Sequence, residues 1–281
     1  MVAEKKMAPI VSVKVMSFNI AHGLGMDGTV DLEKTASVIE DSCAGIIALQ
    51  EVDRHFSARS SFVDQVDWLS RRLGMHAAFG ATLDLEPEAP DMPRPQYGNA
   101  ILSKYPIKYF ENHLLRQVIT PIGHNEQRGI LKAVIEVKGS YISVYNTHLA
   151  FKDEELEVSI NELLDIAGND RFPRIIAGDF NAAPDHIQMK KMKKEFSDVF
   201  LKMKRGDAYT YPASYKNEAA GELLKPVTRI DYIFMDDEFD VAQTAVMDTA
   251  VSDHLPILAD LIVMKTKKLT EQPTVSELQK A

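Results

Sequence analysis

Polar residues able to hold a hard metal ion or move a proton recur at the ends of apolar, strand-like runs in this chain. They are Asn19 after "VMSF", Glu51 after "IIALQ", His148 in "YNTHL", Asp179 and Asn181 in "AGDFN", Asp231 in "RIDYIF", and the pair Asp253–His254 in "SDHLP". A carboxylate at the end of a buried strand is costly unless it is paired or bound to a cation. Its recurrence therefore argues for one shared polar pocket at a common sheet edge. Asn, Glu and Asp offer hard oxygens, which suit magnesium or manganese rather than zinc. Two histidines with carboxylates as partners suit general acid–base work or charge stabilisation. Together these groups fit hydrolysis of a phosphate ester, the metal neutralising phosphoryl oxygens while a carboxylate positions water.

The elements that must present these residues can be read from periodicity. Valines 11, 13 and 15, followed by Phe18 and Ile20, predict a strand. Asp31 is placed to cap a helix reaching about Cys43, with Leu32, Ala36, Ile39 and Cys43 on one face. "AGIIALQEVD" reads as a fully buried strand ending on Gln50 and Glu51. A second helix is expected over 62–73, with Phe62, Val66, Leu69 and Leu73 inward and Gly74 as its stop. The acid- and proline-rich stretch 83–96 predicts a surface loop. Strands follow near 97–103, 107–115 and 129–137, the last turning at "KGS" into the strand that delivers His148. A helix near 153–167, the short strand "RIIAGDFN", a basic helix at 185–195, and strands at "RIDYIFM", 239–249 and 256–263 complete the reading. No linker-like break interrupts the alternation, so residues 1–265 are expected to form one α/β domain and 266–281 a mobile tail.

Composition narrows the function classes. The 281 residues are 45% hydrophobic, enough for a substantial core, and the net charge is -9 from 41 acidic and 32 basic residues. That balance argues mildly against gripping nucleic acid along a broad basic face. The one cysteine, Cys43, excludes an intrachain disulfide framework and any cysteine-rich zinc site. No apolar run has signal-peptide or membrane-span length, so a cytoplasmic protein without a transmembrane segment is expected. Gly23, Gly25 and Gly28 match the G-x-G-x-x-G spacing of a dinucleotide loop. There, however, the helix starts inside the motif and meets the pyrophosphate. Here the predicted helix waits until Asp31, and Asp27 and Asp31 would face the phosphates. The triplet is read as a flexible loop.

In order along the chain, "SFNI", "LQEVD", "YGNAILSKYPI", "QRGILKAVIEV", "NTHL", "AGDFN", "RIDYIF" and "SDHLPI" resemble the endonuclease/exonuclease/phosphatase superfamily. That superfamily includes pancreatic-type deoxyribonuclease, exonuclease III-like repair enzymes, neutral sphingomyelinases and inositol-polyphosphate 5-phosphatases. The resemblance implies a four-layer α/β sandwich, with two mixed β-sheets packed face to face and helices outside. It implies Glu51 as principal metal ligand, with Asn19 and Asp253 beside it, for Mg2+ or Mn2+. It implies Asp179 as the residue that orients or deprotonates the attacking water, and Asn181 as a ligand of phosphate or water. It further implies His254 on the scissile phosphate, Asp231 holding that ring, and His148 opposite, stabilising charge.

Other positions carry two readings each. Arg128 in "EQRG" is a candidate phosphate clamp or a structural ion pair; Arg54 and Arg59 are candidate readers of an anionic substrate; Asn99 reaches the pocket or merely starts a strand. His22 is a candidate for the rim, whereas His55, His76, His113, His124 and His186 read as surface or loop histidines. "MKKMKKEF" reads as a solvated helix face rather than a phosphate-steering patch. Exonuclease III-like enzymes carry an acidic residue two positions after the asparagine and a lysine two after the glutamate. Here Ala21 and Asp53 stand there, which argues against abasic-site cleavage. The expected function is a divalent-metal-dependent phosphoesterase acting on a small or lipid-derived ester, with phosphodiesters favoured. The alternatives are a nuclease of DNA or RNA and a catalytically silent binding module of the same fold.

Overall fold

The computed structural model describes residues 11–118, 125–217 and 222–264. The ordered elements are β1 (Val11–Asn19), α1 (Leu32–Ser42), β2 (Ile46–Arg54), α2 (Gln65–Leu73), β3 (His76–Asp84), β4 (Gln96–Ser103) and β5 (Ile107–Leu114). They continue with β6 (Gly129–Val137), β7 (Ser140–His148), α3 (Asp153–Gly168), β8 (Arg174–Asp179), α4 (Ile187–Glu195), β9 (Ser197–Asp198) and α5 (Val199–Lys202). The chain closes through β10 (Tyr215–Asn217), β11 (Glu222–Leu224), β12 (Asp231–Met235), β13 (Phe239–Val246) and β14 (Ile257–Val263). Two six-stranded mixed sheets result, in the orders β13-β14-β1-β2-β4-β3 and β5-β6-β7-β8-β12-β9.

The period of two along each strand dictates four layers. Val13 and Val15 of β1, Ile46 and Ala48 of β2, Leu131 and Ala133 of β6, Val144 of β7, Ile175 and Ala177 of β8 and Ile233 of β12 face one central core between the sheets. The alternate residues of β1 and β2, Met16, Phe18, Ile47 and Leu49, turn outward onto Ala36 and Ile39 of α1 and Val66 and Leu69 of α2. On the far side Tyr145, Ile176, Tyr232 and Phe234 meet Leu156, Ile160 and Leu163 of α3 and Met189 and Met192 of α4. Strands covered on both faces read as continuous apolar runs. Burying one large aliphatic side chain there contributes roughly 1.5–3 kcal/mol.

Helix boundaries follow local chemistry. Asp31 accepts from the N–H groups of Glu33 and Lys34, and Asp64 from that of Asp67, so both helices start on a carboxylate cap. Gly74 ends α2 in the left-handed conformation at φ 63. Three expectations need correction. The second helix starts at Gln65 rather than 62, because Ser61 and Phe62 are themselves left-handed (φ 52 and 55), and Phe62 is half exposed instead of inward. Cys43 is exposed as the left-handed C-cap of α1, not part of its inner face. Residues 76–84, unassigned from sequence, form edge strand β3, which with β4 shortens the expected 83–96 loop at both ends. The glycine triplet lies in a turn closed by Gly25 N–H to Thr29 O and Gly28 N–H to Gly25 O, and the helix begins beyond it at Leu32. In the basic helix Met189 and Met192 are buried while Lys190, Lys191 and Lys194 are exposed. The expected tail 266–281 and His124 lie outside the described residues.

At the outer part of the second sheet, fully buried Arg229 pairs with Asp198 through two hydrogen bonds of 2.9 and 2.6 Å. Its guanidinium lies 4.6 Å from the Tyr232 ring centroid, and Asp198 also caps α5 by accepting from Phe200 N–H and Leu201 N–H. Removing one partner leaves an uncompensated buried charge. Arg229→Ala is therefore expected to lower unfolding free energy by about 3–5 kcal/mol, read from the midpoint of a urea titration, and Arg229→Met/Asp198→Leu to cost less than that single change.

Candidate active site

Strand register gathers the polar ends. Asn19 ends β1 opposite Gln50 of the parallel strand β2, so Glu51 follows one position beyond. In the second sheet His148, at the end of β7, is paired with Asp179 of β8, and Asp179 with Asp231 of β12. Three site residues thus occupy neighbouring rungs. The close β7–β8 approach needs Gly178, where a Cβ would overlap the Thr147 carbonyl. Ser252 binds the 252–254 turn to the first sheet by donating to Asn19 O at 2.7 Å.

Glu51 reaches the pocket through a strained backbone. The β2–β4 register shifts between Leu49 and Val52, and Glu51 adopts φ 58 there. This left-handed geometry costs a residue with a Cβ about 1–2 kcal/mol and turns the carboxylate toward the cleft. Asn19 Nδ2 donates to Glu51 Oε1 at 2.9 Å and to Asp179 Oδ2 at 3.1 Å, joining the two sheets. Its Oδ1 accepts from Ala21 N–H at 3.1 Å. Asn19 therefore presents an N–H to both carboxylates, beside the Glu51 that it was expected to accompany at the metal.

His254 sits between two carboxylates. Its Nδ1 lies 3.0 Å from Asp231 Oδ2, and its Nε2 lies 3.6 Å from Asp179 Oδ2. Burial, the largest influence, opposes its charge, but Asp231, Asp179 and Asp253 together outweigh it and push the ring up to about 10. His148 is the opposite case. Burial, then the charges of Arg128 and His254, hold it well below its ordinary 6.5. Its Nε2 accepts from Asn181 Nδ2 at 3.1 Å, which leaves the proton on Nδ1, 3.9 Å from Glu51 Oε1. Asn181, left-handed at φ 50, is locked by its N–H to Asp179 Oδ1 at 2.9 Å. Burial pushes Asp179 up to about 7, aided by Asp231 and opposed by His254. Glu51 is raised by burial first and by Asp253 as well, while the Asn19 hydrogen bond opposes this.

Two groupings have donor types that suit a cation. Asp179, Asp231 and His254 lie closest together, but the imidazolium already supplies the positive charge between those carboxylates. Glu51 and Asp253 fit better. Among the described residues no lysine or arginine nitrogen lies within 4.0 Å of either, and the Glu51 carboxylate keeps 26% of its side chain open. Hard, partly open carboxylates without a basic partner are the donor set of a hard divalent cation.

The remaining sequence candidates divide. Arg128 is nearly buried, pairs with Glu126 at 2.7 Å, and is close enough to depress His148. Asn99 is buried and donates to Gly129 O at 3.2 Å. Arg59 is held by Asp53 through bonds of 2.9 and 2.7 Å and stacks on Phe56, and Arg54 pairs with Asp64 at 3.0 Å. Both arginines, expected to read an anion, are thus engaged in ion pairs with nearby carboxylates. His22 is half-buried and its ring is lowered, by burial first and by Arg59 second. Sequence reasoning passed over Gln50 and Asn146, whose side chains bridge the sheets at 2.7 Å behind the pocket. It also passed over Tyr211, whose ring centroid lies 4.8 Å from that of His254. Polar residues inside buried strands were the available signal for the first two; Tyr211 lies in an irregular stretch with none.

Comparison with known proteins agrees with this fold. A family model described as Endonuclease/Exonuclease/phosphatase family matches residues 16–254. The uncharacterized protein YbhP of Escherichia coli strain K12 is 25% identical over 265 residues, spanning 89% of this chain and 96% of YbhP. An endonuclease/exonuclease/phosphatase structure from Beutenbergia cavernae superposes with a TM-score of 0.71 at 25% identity, covering 91% of this chain and 72% of that one. A mannosyl-6-phosphatase from Bacteroides thetaiotaomicron shares the fold at a TM-score of 0.65 and 15% identity, covering 89% and 99%.

The two imidazoles should titrate apart. In chelator-treated protein His254 stays charged through neutral pH and loses its proton near pH 10, while His148 stays neutral to well below 6.5. The folded value of His254 lies above that of an unfolded imidazole, so its stabilisation is full below pH 6.5 and is lost as pH rises through about 10. Ring chemical shifts from NMR, assigned with His→Gln variants, check both statements.

Proposed function

The chain belongs to the Endonuclease/Exonuclease/phosphatase family, a family of hydrolases of phosphoester bonds, and from that premise we propose that it is a divalent-metal-dependent phosphodiesterase. The observation that carries this reading is the meeting of Glu51, Asp179, Asp231, Asp253, His148 and His254 where the ends of the two sheets face each other. A hard cation at Glu51 and Asp253, Mg2+ or Mn2+, supplies positive charge to the phosphoryl oxygens when bound.

The chain's own residues do the rest. Asp179, near neutrality in its proton affinity, orients the attacking water and takes its proton as the new P–O bond forms. Asn19 and the Asn181 N–H hold that carboxylate in place. The His254 imidazolium donates to a phosphoryl oxygen, its orientation and charge held by Asp231. His148 offers a neutral Nδ1–H to charge that develops on the opposite side. Water attacks in line, the ester P–O bond breaks, and no covalent enzyme intermediate forms.

Charge favours a diester over a monoester. The pocket holds four carboxylates, against which the described cations near it include His254, the Glu126-paired Arg128 and the Asp53-paired Arg59. A monoanionic diester asks less of such a site than a dianionic monoester. The same acidity, together with a net charge of -9, favours a small or lipid-derived ester over nucleic acid. A silent binding module would not need this costly buried set.

Hydrolysis of bis(p-nitrophenyl) phosphate with Mn2+ or Mg2+, abolished by chelator and faster than that of p-nitrophenyl phosphate, is the expected outcome; plasmid nicking tests the nuclease. Glu51→Gln is expected to raise the metal concentration needed for half-maximal rate. His254→Ala is expected to lower kcat by about 10²–10⁴-fold while metal binding, read by calorimetry, persists. Near-normal turnover in His254→Ala would remove the assigned role.

A further inference from the structure

Tyr211 belongs to a stretch that clasps the two halves of the site. Its N–H donates to Thr228 O at 3.0 Å, and its carbonyl accepts from Thr228 N–H at 3.1 Å and Val227 N–H at 2.9 Å. On one side Thr210 O accepts from Leu255 N–H at 2.8 Å, and on the other Ala213 N–H donates to Asp253 O at 2.7 Å. The Thr210 hydroxyl accepts from the N–H groups of Ile230 and Asp231 at 3.2 and 3.4 Å. The backbone of Tyr211 is therefore fixed relative to both Asp231 and Asp253–His254.

Its side chain is used differently. The ring leans on His254 at 4.8 Å between centroids, tilted by 49°, yet 36% of the residue is open to solvent. Burial, then the charges of Asp253, Asp179 and Glu51, raise its hydroxyl above the ordinary phenol range, so the ring stays neutral. Among the described residues the ring of His254 is the one aromatic partner of this rigid, neutral, partly open surface, which leaves its open part facing solvent beside the group that touches the phosphate.

We propose that Tyr211 is a specificity-determining residue whose open ring receives the organic substituent of the scissile phosphate and favours planar or aromatic substituents over small alkyl ones. This rests on the phosphoesterase reading for the position of the phosphate. The ring offers offset or edge-on contact to another π-system without asking it for charge, which suits a pocket whose other walls are carboxylates. Aliphatic substituents of methyl size leave the ring uncovered.

Binding of phenyl phosphate and methyl phosphate to the full chain with Mg2+, measured by calorimetry, tests this without needing turnover. The native protein is expected to prefer phenyl phosphate by about fivefold or more, as aromatic pairing allows. Tyr211→Phe should keep that preference, and Tyr211→Leu should erase it, with thermal melts and NMR spectra confirming that both variants remain folded. An unchanged phenyl-to-methyl ratio in Tyr211→Leu, or an equal weakening of both ligands, would reduce the ring to a buttress of His254 and overturn the proposal. No measurable binding of either ligand by the native protein would overturn it as well. If the preference tracks Tyr211 while no phosphoester is hydrolysed, the ring's role stands and the catalytic reading falls.

Discussion

One amide holds the chemistry together. Asn19 sits at the end of the first sheet and donates from a single nitrogen to Glu51 in its own sheet and to Asp179 in the other. Both acceptors resist losing their solvent, so without a shared donor the two sheet edges would spread until water entered. The amide can do this because its oxygen is already committed to Ala21 N–H, which fixes which end faces the carboxylates. Behind it, Gln50 and Asn146 repeat the device, and Asn146 also reaches the carbonyls of Leu49 and Ala100. The sheets are thus joined by apolar packing through most of their area and by amides where the packing stops.

The fold makes this arrangement affordable in free energy by distributing it. Asn19, His148 and Asp179 each stand at the last position of a strand whose preceding residues are largely buried, so the backbone is rigid up to the point of use. Strain at the site falls in short steps: the left-handed Ala21, His22, Glu51 and Asn181, and the tight β7–β8 approach at Gly178. Loops then close the rim, and it is there that the chain mixes ion pairs such as Arg59–Asp53 with open aromatic surface at Tyr211.

Much of this was legible in the sequence because buried strands make polar residues conspicuous. Asn19, Glu51, His148, Asp179 and Asp231 each interrupt an apolar run, and the structure brings them together through strand register. What escaped has physical reasons. β3 carries His, Ala and Gly on a half-covered edge, where neither alternation nor propensity is strong. Phe62 had helical spacing, but the Asp64 cap competes with that pattern and starts the helix later. Arg54 and Arg59 looked available because nothing in a linear reading says that Asp64 and Asp53 fold back to meet them.

The placement of Asp179 has a kinetic corollary. Its Oδ2 stands 3.5 Å from the Nε2 of His148 and 3.6 Å from that of His254, two rings of the same chemical type with opposite appetites for hydrogen ions. One ring is already saturated, and the other is kept unreceptive by its enclosure and by Arg128. A hydrogen ion arriving on Asp179 therefore has no internal sink and must leave by way of solvent. On the proposed mechanism the pocket is a one-bay dock rather than a relay, and its cycling rate would be tied to how freely water reaches that single oxygen.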